Sequence, residues 1–456
     1  MYARTALSGE KSLSVIMPVT VCTMLALSVV IVFAPDIAIM TVWFLLWAGA
    51  LCVFMAGLPA AERRFLTVYV MAGLAVRIMA AVAFRLSNAD TGGLITPDEF
   101  YYYDYSKEIA DFWKSGVFLS LNEIHGLTST RNYGFHLYDA LHFLLLEDKL
   151  VPVISNIFLD IFTSLLIFRF ALNNFGRKLA NVSFFILIFN PYLIYWSTFN
   201  LKDTLLTFLT ALLVYTVGKA RKSMLSMALL VAILVLFATI RFYMTFMFVI
   251  LLGGFVLLNS EYKIKYKLFI GATAVASILI LYLYTPLDNT FDELMSDGVG
   301  ETVHAYSTRS FDIAQDLDYS TQHIKGYGPK SLLISTFHAL LAPSPFNWEG
   351  GGKYLFPGTI FWYLLLPYYF VGTLIFIKSR YMRFKYLLLW LFPMFMITVM
   401  IFMPAINEPR HRLVIFPYAA VLASVGIFHK YRYKKAIVLT TYLVIVCVLI
   451  GRELMT

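Results

Sequence analysis

Apolar runs of roughly the length needed to cross a bilayer recur from end to end of the chain, broken by short polar turns and by two long polar segments. They lie near 13–34, 37–58, 65–86, 150–171, 179–197, 204–218, 223–240, 243–259, 267–285, 356–377, 384–403, 413–428 and 436–451. A helix needs about 20 apolar residues to span some 30 Å of hydrocarbon, and within lipid it satisfies its own backbone hydrogen bonds. The pattern therefore predicts an all-α polytopic membrane protein, a bundle of about thirteen transmembrane helices. The first run is too long for the core of a signal peptide and a second follows at once, so it is expected to stay in the mature protein.

The two long polar segments are residues 87–149 and 286–355. In the first, Tyr102, Tyr105, Ile109, Phe112 and Trp113 recur at spacings of three and four, with Asp104, Lys107, Glu108, Asp111 and Lys114 on the other side. That spacing predicts an amphipathic helix lying along the membrane surface, its aromatic rings at headgroup level. A second short helix is expected near 135–147, "FHLYDALHFLLLE", too short to span. In the other segment, "LLISTFHALLAPSPFNW" (332–348) predicts an apolar helix stopped by Pro343 and Pro345. No internal repeat or low-complexity tract is visible.

Composition narrows the class. With 456 residues, 60% hydrophobic and only 14% charged, the chain is too apolar for a soluble globular protein. The net charge of +9 would suit a nucleic-acid partner, but its distribution points elsewhere. Arg63, Arg64, Arg177, Lys178, Arg221, Lys222, Lys263, Lys265, Lys267, Arg380, Arg383, Arg432, Lys434 and Lys435 fall in alternate turns, opposed only by Glu10, Glu62 and Glu261. That is the positive-inside bias of an integral membrane protein, expected here in a bacterial cytoplasmic membrane, and it calls for no nucleic acid. It places 87–149 and 286–355 outside. Cys22, Cys52 and Cys447 all sit in apolar runs without paired spacing, so no disulfide framework or zinc site is expected.

Two charges lie inside runs. Arg77 is about 18 Å above the inner start of its helix and Asp160 about 15 Å below the outer start of the next. An unpaired charge at that depth is costly. The matching depths predict that the two side chains meet, in a structural role.

No GxGxxG after a strand, P-loop or HExxH occurs, and "DLD" at 316–318 is too short a match to carry a nucleotide-sugar reading. The candidate chemistry lies at the expected outer face: Asp98 and Glu99 in "TPDEFYYYDY", Lys202 and Asp203 in "STFNLKDT", Arg241, and Arg410, His411 and Arg412 in "PRHR". A carboxylate there can take the proton of an acceptor hydroxyl while arginines, which bind phosphate oxygens in pairs, neutralise a phosphate leaving group. Each residue alone also has a plain role, such as snorkelling, or for Asp203 a first-turn acid favoured by the helix dipole.

"PDEFYY", "YGFHLYDALHFLLLEDKLVPVISNIFLDIFTSLLIFRFALNNFG" (133–176), "FNPYLIYWSTFNLKDTLLTFL" (189–209) and "RHRLVIFPYAAVLASVGI" (410–427) occur in an order and spacing that resemble the GT-C glycosyltransferases using polyprenyl-phosphate sugars, among them protein O-mannosyltransferases and the lipid A aminoarabinose transferase. The resemblance covers most of residues 65–430. It implies a GT-C-like catalytic module over 65–430, preceded by two additional transmembrane helices in 1–64 and followed by one in 431–456. The implied activity is an inverting transfer of a sugar from a polyprenyl-phosphate donor to a lipid, glycan or protein acceptor on the outer face. The family's first-loop acid, its catalytic base, falls on Asp98 or Glu99, with Asp98 taken as base and Glu99 orienting it or binding acceptor or a divalent ion. Its second-loop acid falls on Asp203 and its late arginines on Arg410 or Arg412, with Lys202 or Arg241 in support. No cofactor is required by the sequence, although a divalent metal has acids to bind. The additional N-terminal helices, the C-terminal span in place of a soluble domain and the segment "APSPFNWEG" depart from the family pattern. A neighbouring reading is an O-antigen or exopolysaccharide polymerase acting on lipid-diphosphate oligosaccharides. A lipid or polysaccharide transporter would also be polytopic and basic, but would place its ionisable groups at mid-membrane rather than at one face.

Overall fold

The computed structural model describes residues 35–88, 96–120, 133–146, 148–220, 224–241, 329–342, 352–378, 386–402 and 409–453, with isolated positions between 123 and 127 and between 244 and 271. The helices in chain order are α1 (Pro35–Ala56), α2 (Ala60–Ser87), α3 (Pro97–Lys114), α4 (Tyr133–Leu145), α5 (Leu150–Phe175), α6 (Arg177–Ile188), α7 (Pro191–Ser197), α8 (Lys202–Ala220), α9 (Met224–Ile240), α10 (Pro329–Leu341), α11 (Gly352–Lys378), α12 (Leu387–Phe402), a 3₁₀ helix (Pro409–Ile415), α13 (Phe416–Phe428) and α14 (Lys434–Glu453). The protein is an all-α, polytopic integral membrane protein. Among the described residues five helices are long and apolar enough to cross a membrane, six if the bent pair α6 and α7 is one span. The expected runs 13–34, most of 243–259 and 267–285, the "DLD" tripeptide and Pro343 and Pro345 lie outside the described residues.

One expectation is corrected. The run 179–197 is not a single helix: α6 and α7 are bent by 48°. Asn190 caps α7, its side chain accepting from the Tyr192 N–H at 2.9 Å, and Pro191 has no N–H with which to continue the ladder of α6. The freed Ile188 carbonyl accepts instead from Arg77 of α2, at 2.9 Å.

α5 is the axis of the bundle, buried along nearly its whole length. It packs against α1, α2, α6 and α8, while α13 fills the space between α6 and α11. Close approach of α11 and α13 depends on glycine. A Cβ on Gly372 would lie 1.9 Å from the Leu422 carbonyl oxygen, and one on Gly426 2.0 Å from that of Tyr368. Small residues of this kind let membrane helices meet backbone to backbone, where dispersion rather than hydrophobicity holds them.

α3 begins at a capping box: Thr96 accepts from the Glu99 N–H at 3.3 Å and Glu99 from the Thr96 N–H at 3.4 Å. Pro97 takes the first helical position, where a missing N–H costs nothing. α3 ends at Gly116, whose φ of 83° a side chain would strain. The two-sided pattern is present, with Asp104, Glu108 and Asp111 exposed, but Tyr102 and Ile109 of the expected headgroup face are buried within the protein and Phe112 faces outward. α3 packs on α4 around Ile109, Ala110, Ala140 and Phe143.

α1 is tied to this layer by polar contacts. The indole N–H groups of Trp43 and Trp47 both donate to Ser155 Oγ of α5, at 2.9 and 3.1 Å. His142 of α4 donates from Nδ1 to the Tyr138 carbonyl at 2.8 Å, and burial lowers its pKa to about 4. Its neutral Nε2 must therefore accept, and the donor is Ser155 Oγ at 2.8 Å.

Candidate functional site

The two ends of α2 differ in character. Near its start the buried Glu62 pairs with Arg177 at 3.1 Å, within the turns read as inner. At its far end, about 35 Å along the helix, Arg85 donates to Glu99 Oε1 at 2.7 Å. The candidate residues gather at that second end.

Asp98 and Glu99 are adjacent in the first turn of α3, yet their environments are opposite. The Glu99 side chain is fully buried and its oxygens serve structure: Oε1 accepts from Arg85 and, at 2.8 Å, from the Asn200 backbone N–H, while Oε2 closes the capping box. The Asp98 side chain is 40% exposed and pairs with Arg410 of the 3₁₀ helix. One acid locks the turn and its neighbour points into accessible space.

A second pair stands beside the first. Asp203, in the first turn of α8 as its dipole favours, accepts from Arg241 at 3.1 Å, with both side chains buried. Its other oxygen, Oδ2, has no hydrogen-bond partner among the described residues. Lys202 is nearly buried and its ammonium lies 5.5 Å from the centre of the Tyr102 ring. Tyr102 marks the meeting point of these groups. Burial raises its pKa, the charges of Asp98 and Asp203 raise it further, and Arg410 and Arg241 oppose them. Four separate elements thus deliver Asp98, Lys202, Asp203, Arg241 and Arg410 around one tyrosine.

Arg412 is not in that cluster. Two residues from Arg410 on a helix of about three residues per turn, it faces another way. Its Nη1 donates to the Leu340 carbonyl at 3.1 Å, and its guanidinium lies 5.8 Å from the Tyr192 ring centre and 6.0 Å from that of Trp362. Trp362 Nε1 donates to the same carbonyl at 2.7 Å. Arg412 is buried, and its Nη2 has no hydrogen-bond partner among the described residues.

Sequence reasoning missed Arg85, Tyr102, Asp139 and Asn200. Arg85 sits at the end of an apolar run, Tyr102 on the aromatic face of an expected surface helix, Asp139 within the short helix expected near 135–147, and Asn200 in an expected turn. Asp139 carried a signal, since it shares the helix face of Phe135 and Phe143. It is fully buried, and its Oδ2 accepts from the Asn200 side-chain amide at 2.6 Å. Nearby His136 is also buried, its Nδ1 at 3.4 Å from Ser106 Oγ, and burial followed by the charge of Lys202 lowers its pKa to about 4.

Among the described residues no group of three or more His, Cys, Asp or Glu is arranged to hold a metal ion. Asp98 and Asp203 each already pair with an arginine through one oxygen. Comparison with protein-family models, with curated proteins and with solved structures gives no match to this chain.

Proposed function

We propose that the protein is an inverting glycosyltransferase of GT-C type that moves a sugar from a polyprenyl-phosphate donor to an acceptor at the outer face of a bacterial cytoplasmic membrane. The supporting observation is the division of labour between Asp98 and Glu99: a half-exposed carboxylate paired with an arginine beside a neighbour wholly committed to holding the turn. A membrane-surface loop needs no such division. A group-transfer site does, because the reacting acid must be accessible and its support rigid.

In this reading the donor phosphate enters between Arg410, Arg241 and Lys202. It takes Arg410 from Asp98 and so frees the carboxylate. Asp98 accepts the proton of the acceptor hydroxyl as that oxygen bonds to the anomeric carbon. The bond from the anomeric carbon to the phosphate oxygen breaks with its electron pair, and the polyprenyl phosphate leaves with one more negative charge, which the cations neutralise. Arg412 fixes the 3₁₀ helix from behind, through the Leu340 carbonyl. Donor binding before acceptor follows from the Arg410 exchange.

The test is consumption of radiolabelled polyprenyl-phosphate hexoses by the purified protein in lipid nanodiscs, with membrane extract as acceptor and polyprenyl-diphosphate sugars in parallel. Turnover of the monophosphate that Asp98→Asn abolishes supports the assignment. Turnover of the diphosphate alone turns it to the polymerase reading, and a folded protein that neither binds nor consumes either donor overturns it.

A further inference from the structure

The buried polar node behind the site is larger than its catalytic candidates require. Asp139 holds the Asn200 side chain at 2.6 Å, and Asn200 gives its backbone N–H to Glu99 at 2.8 Å. From the other side, Asn156 of α5 donates to the Phe199 carbonyl at 2.9 Å and to that of Leu201 at 3.4 Å. The short turn between α7 and α8 is clamped between these side chains. Asp98 precedes Glu99 on one side of the node, and Lys202 and Asp203 follow Asn200 on the other. Arg85 adds a second link between the two turns, donating from Nη2 both to Glu99 and, at 3.3 Å, to the Thr198 carbonyl.

A carboxyl this deep is costly to ionise. Burial pushes Asp139 well above the usual carboxylate range, the Asn200 hydrogen bond opposes that, and the charge of Glu99 adds to it. The groups facing it are Glu99 of α3, with Arg85 of α2 bonded behind that acid, and Tyr138 adjoins it on α4. A neutral acid in this place can hold an amide without bringing a charge beside Glu99.

We propose that Asp139 is a positioning residue: through Asn200 it fixes the turn at 198–201 against Glu99, and so sets the separation between Asp98 and the Lys202–Asp203 head of α8. This rests on the reading of Asp98 as the base. Asp139 touches neither substrate in that reading. It acts on the chemistry by keeping the base and the phosphate-binding head of α8 in one register.

The experiment compares wild-type protein with Asp139→Asn, Asp139→Leu and Asn200→Ala in nanodiscs. It measures polyprenyl-phosphate binding, transfer from the labelled donor and thermal unfolding between pH 4 and 8. Asp139→Asn keeps the shape and the hydrogen bond of a neutral acid, so its kcat should stay within about twofold of wild type and its pH–rate profile unchanged. Asp139→Leu and Asn200→Ala should lower kcat by about 10- to 100-fold, the cost of shifting a reacting group by roughly 1 Å, with donor KM little changed. Asn200→Ala removes the same hydrogen bond if Asp139→Leu does not fold. The folded state holds the Asp139 proton more tightly than the unfolded chain, so wild type should lose stability relative to Asp139→Asn as pH rises above the ordinary 3.8. An Asp139→Asn protein as inactive as Asp98→Asn overturns the proposal by making Asp139 a chemical group. Wild-type kcat in both truncations, or loss of donor binding and unfolding temperature together in all three variants, also overturns it. Wild-type protein that binds and consumes no donor refutes the reading of the site itself, whereas an active wild type with any of the preceding results refutes only the part given to Asp139.

Discussion

Arg77 of α2 and Asp160 of α5 meet at 2.5 Å with both side chains essentially excluded from solvent. Arg77 does more than neutralise its partner, because Nη1 also donates to the Gly73 carbonyl at 3.0 Å and to Ile188 at the α6–α7 break. One guanidinium therefore joins two helices and caps a third. Removing either member leaves a buried charge, and Arg77→Ala or Asp160→Ala should cost about 3–5 kcal/mol. A double replacement, Arg77→Met with Asp160→Leu, should recover part of that loss and not all, since the Ile188 carbonyl stays unserved. Thermal unfolding in detergent reads this out. Single variants as stable as wild type would show the pair to be dispensable.

The close approach of α11 and α13 predicts a second stability effect. Adding a methyl at Gly372 or Gly426 drives a Cβ into a backbone carbonyl rather than into a side chain that can turn away. Gly372→Ala and Gly426→Ala should each destabilise by about 1–3 kcal/mol through separation of the helices. Because both lie in one contact, the double variant should cost less than the sum of the singles. Strict additivity in unfolding measurements would contradict a shared interface.

The fold was legible wherever a short-range pattern carries the information. Apolar run length gave α2, α5 and α11 to within a few residues, and the matched depths of two stray charges anticipated the Arg77–Asp160 contact. The break at Asn190–Pro191 was also written in the chain, since Asn-Pro favours a turn, but it lies inside a run apolar enough to read as continuous. The node around Asp139 was not legible in the same way. Its partner Asn200 is 61 positions away, and periodicity sorts residues by face without saying which polar group a face will meet. The resemblance assigned Asp98 and Glu99 different parts, and the spacing of Thr96 and Glu99 is that of a capping box, but the burial of Glu99 between Arg85 and Asn200 depends on partners far along the chain.

That split makes the two acids separable by experiment. Asp98→Asn should leave the unfolding temperature within about 4 °C of wild type, because the Asp98 carboxylate is 40% exposed and an amide oxygen in its place can still accept from Arg410. It should nonetheless abolish transfer. Glu99→Gln removes the charge facing Arg85 in a buried place, so it should lower stability by roughly 2–4 kcal/mol and reduce transfer less than Asp98→Asn does. Loss of stability in Asp98→Asn with none in Glu99→Gln would reverse the two roles.

Stability should also depend on pH through the buried histidines of α4. Burial holds the pKa of His142 at about 4, against an ordinary 6.5. Between those values the unfolded chain binds more protons than the folded one, so stability is fully present above about pH 6.5 and falls as the pH drops toward 4. His136 is depressed to about 4 as well and acts in the same window. Protonation of His142 would turn Nε2 into a donor facing Ser155, which already receives both indole N–H groups, so α1 should loosen first. His142→Gln should flatten the decline measured by unfolding at pH 7.5, 6 and 5, and hydrogen exchange should locate the early opening in α1. An equally steep decline in the variant would assign the effect to other groups.

Arg410 and Arg412 should behave differently although only one residue separates them. Arg410 faces Asp98 and the cluster around Tyr102, whereas Arg412 is held by the Leu340 carbonyl at the end of α10 and by the Tyr192 and Trp362 rings. A cation at a helix C-terminus stabilises that end, so Arg412 has a packing role that Arg410 lacks. Arg410→Ala should weaken binding of polyprenyl phosphate about tenfold or more, the loss of one charge-assisted hydrogen bond, with little change in unfolding temperature. Arg412→Ala should lower the unfolding temperature by several degrees and affect binding only as far as the 3₁₀ helix shifts. Arg412→Lys keeps the charge beside Leu340 but loses the planar fork, so it should recover stability in part. The decisive comparison is phosphate binding against thermal stability for all three variants. Unchanged binding in Arg410→Ala removes that residue from the site, and lost binding with full stability in Arg412→Ala would place its unpartnered Nη2, rather than Arg410, on the donor phosphate.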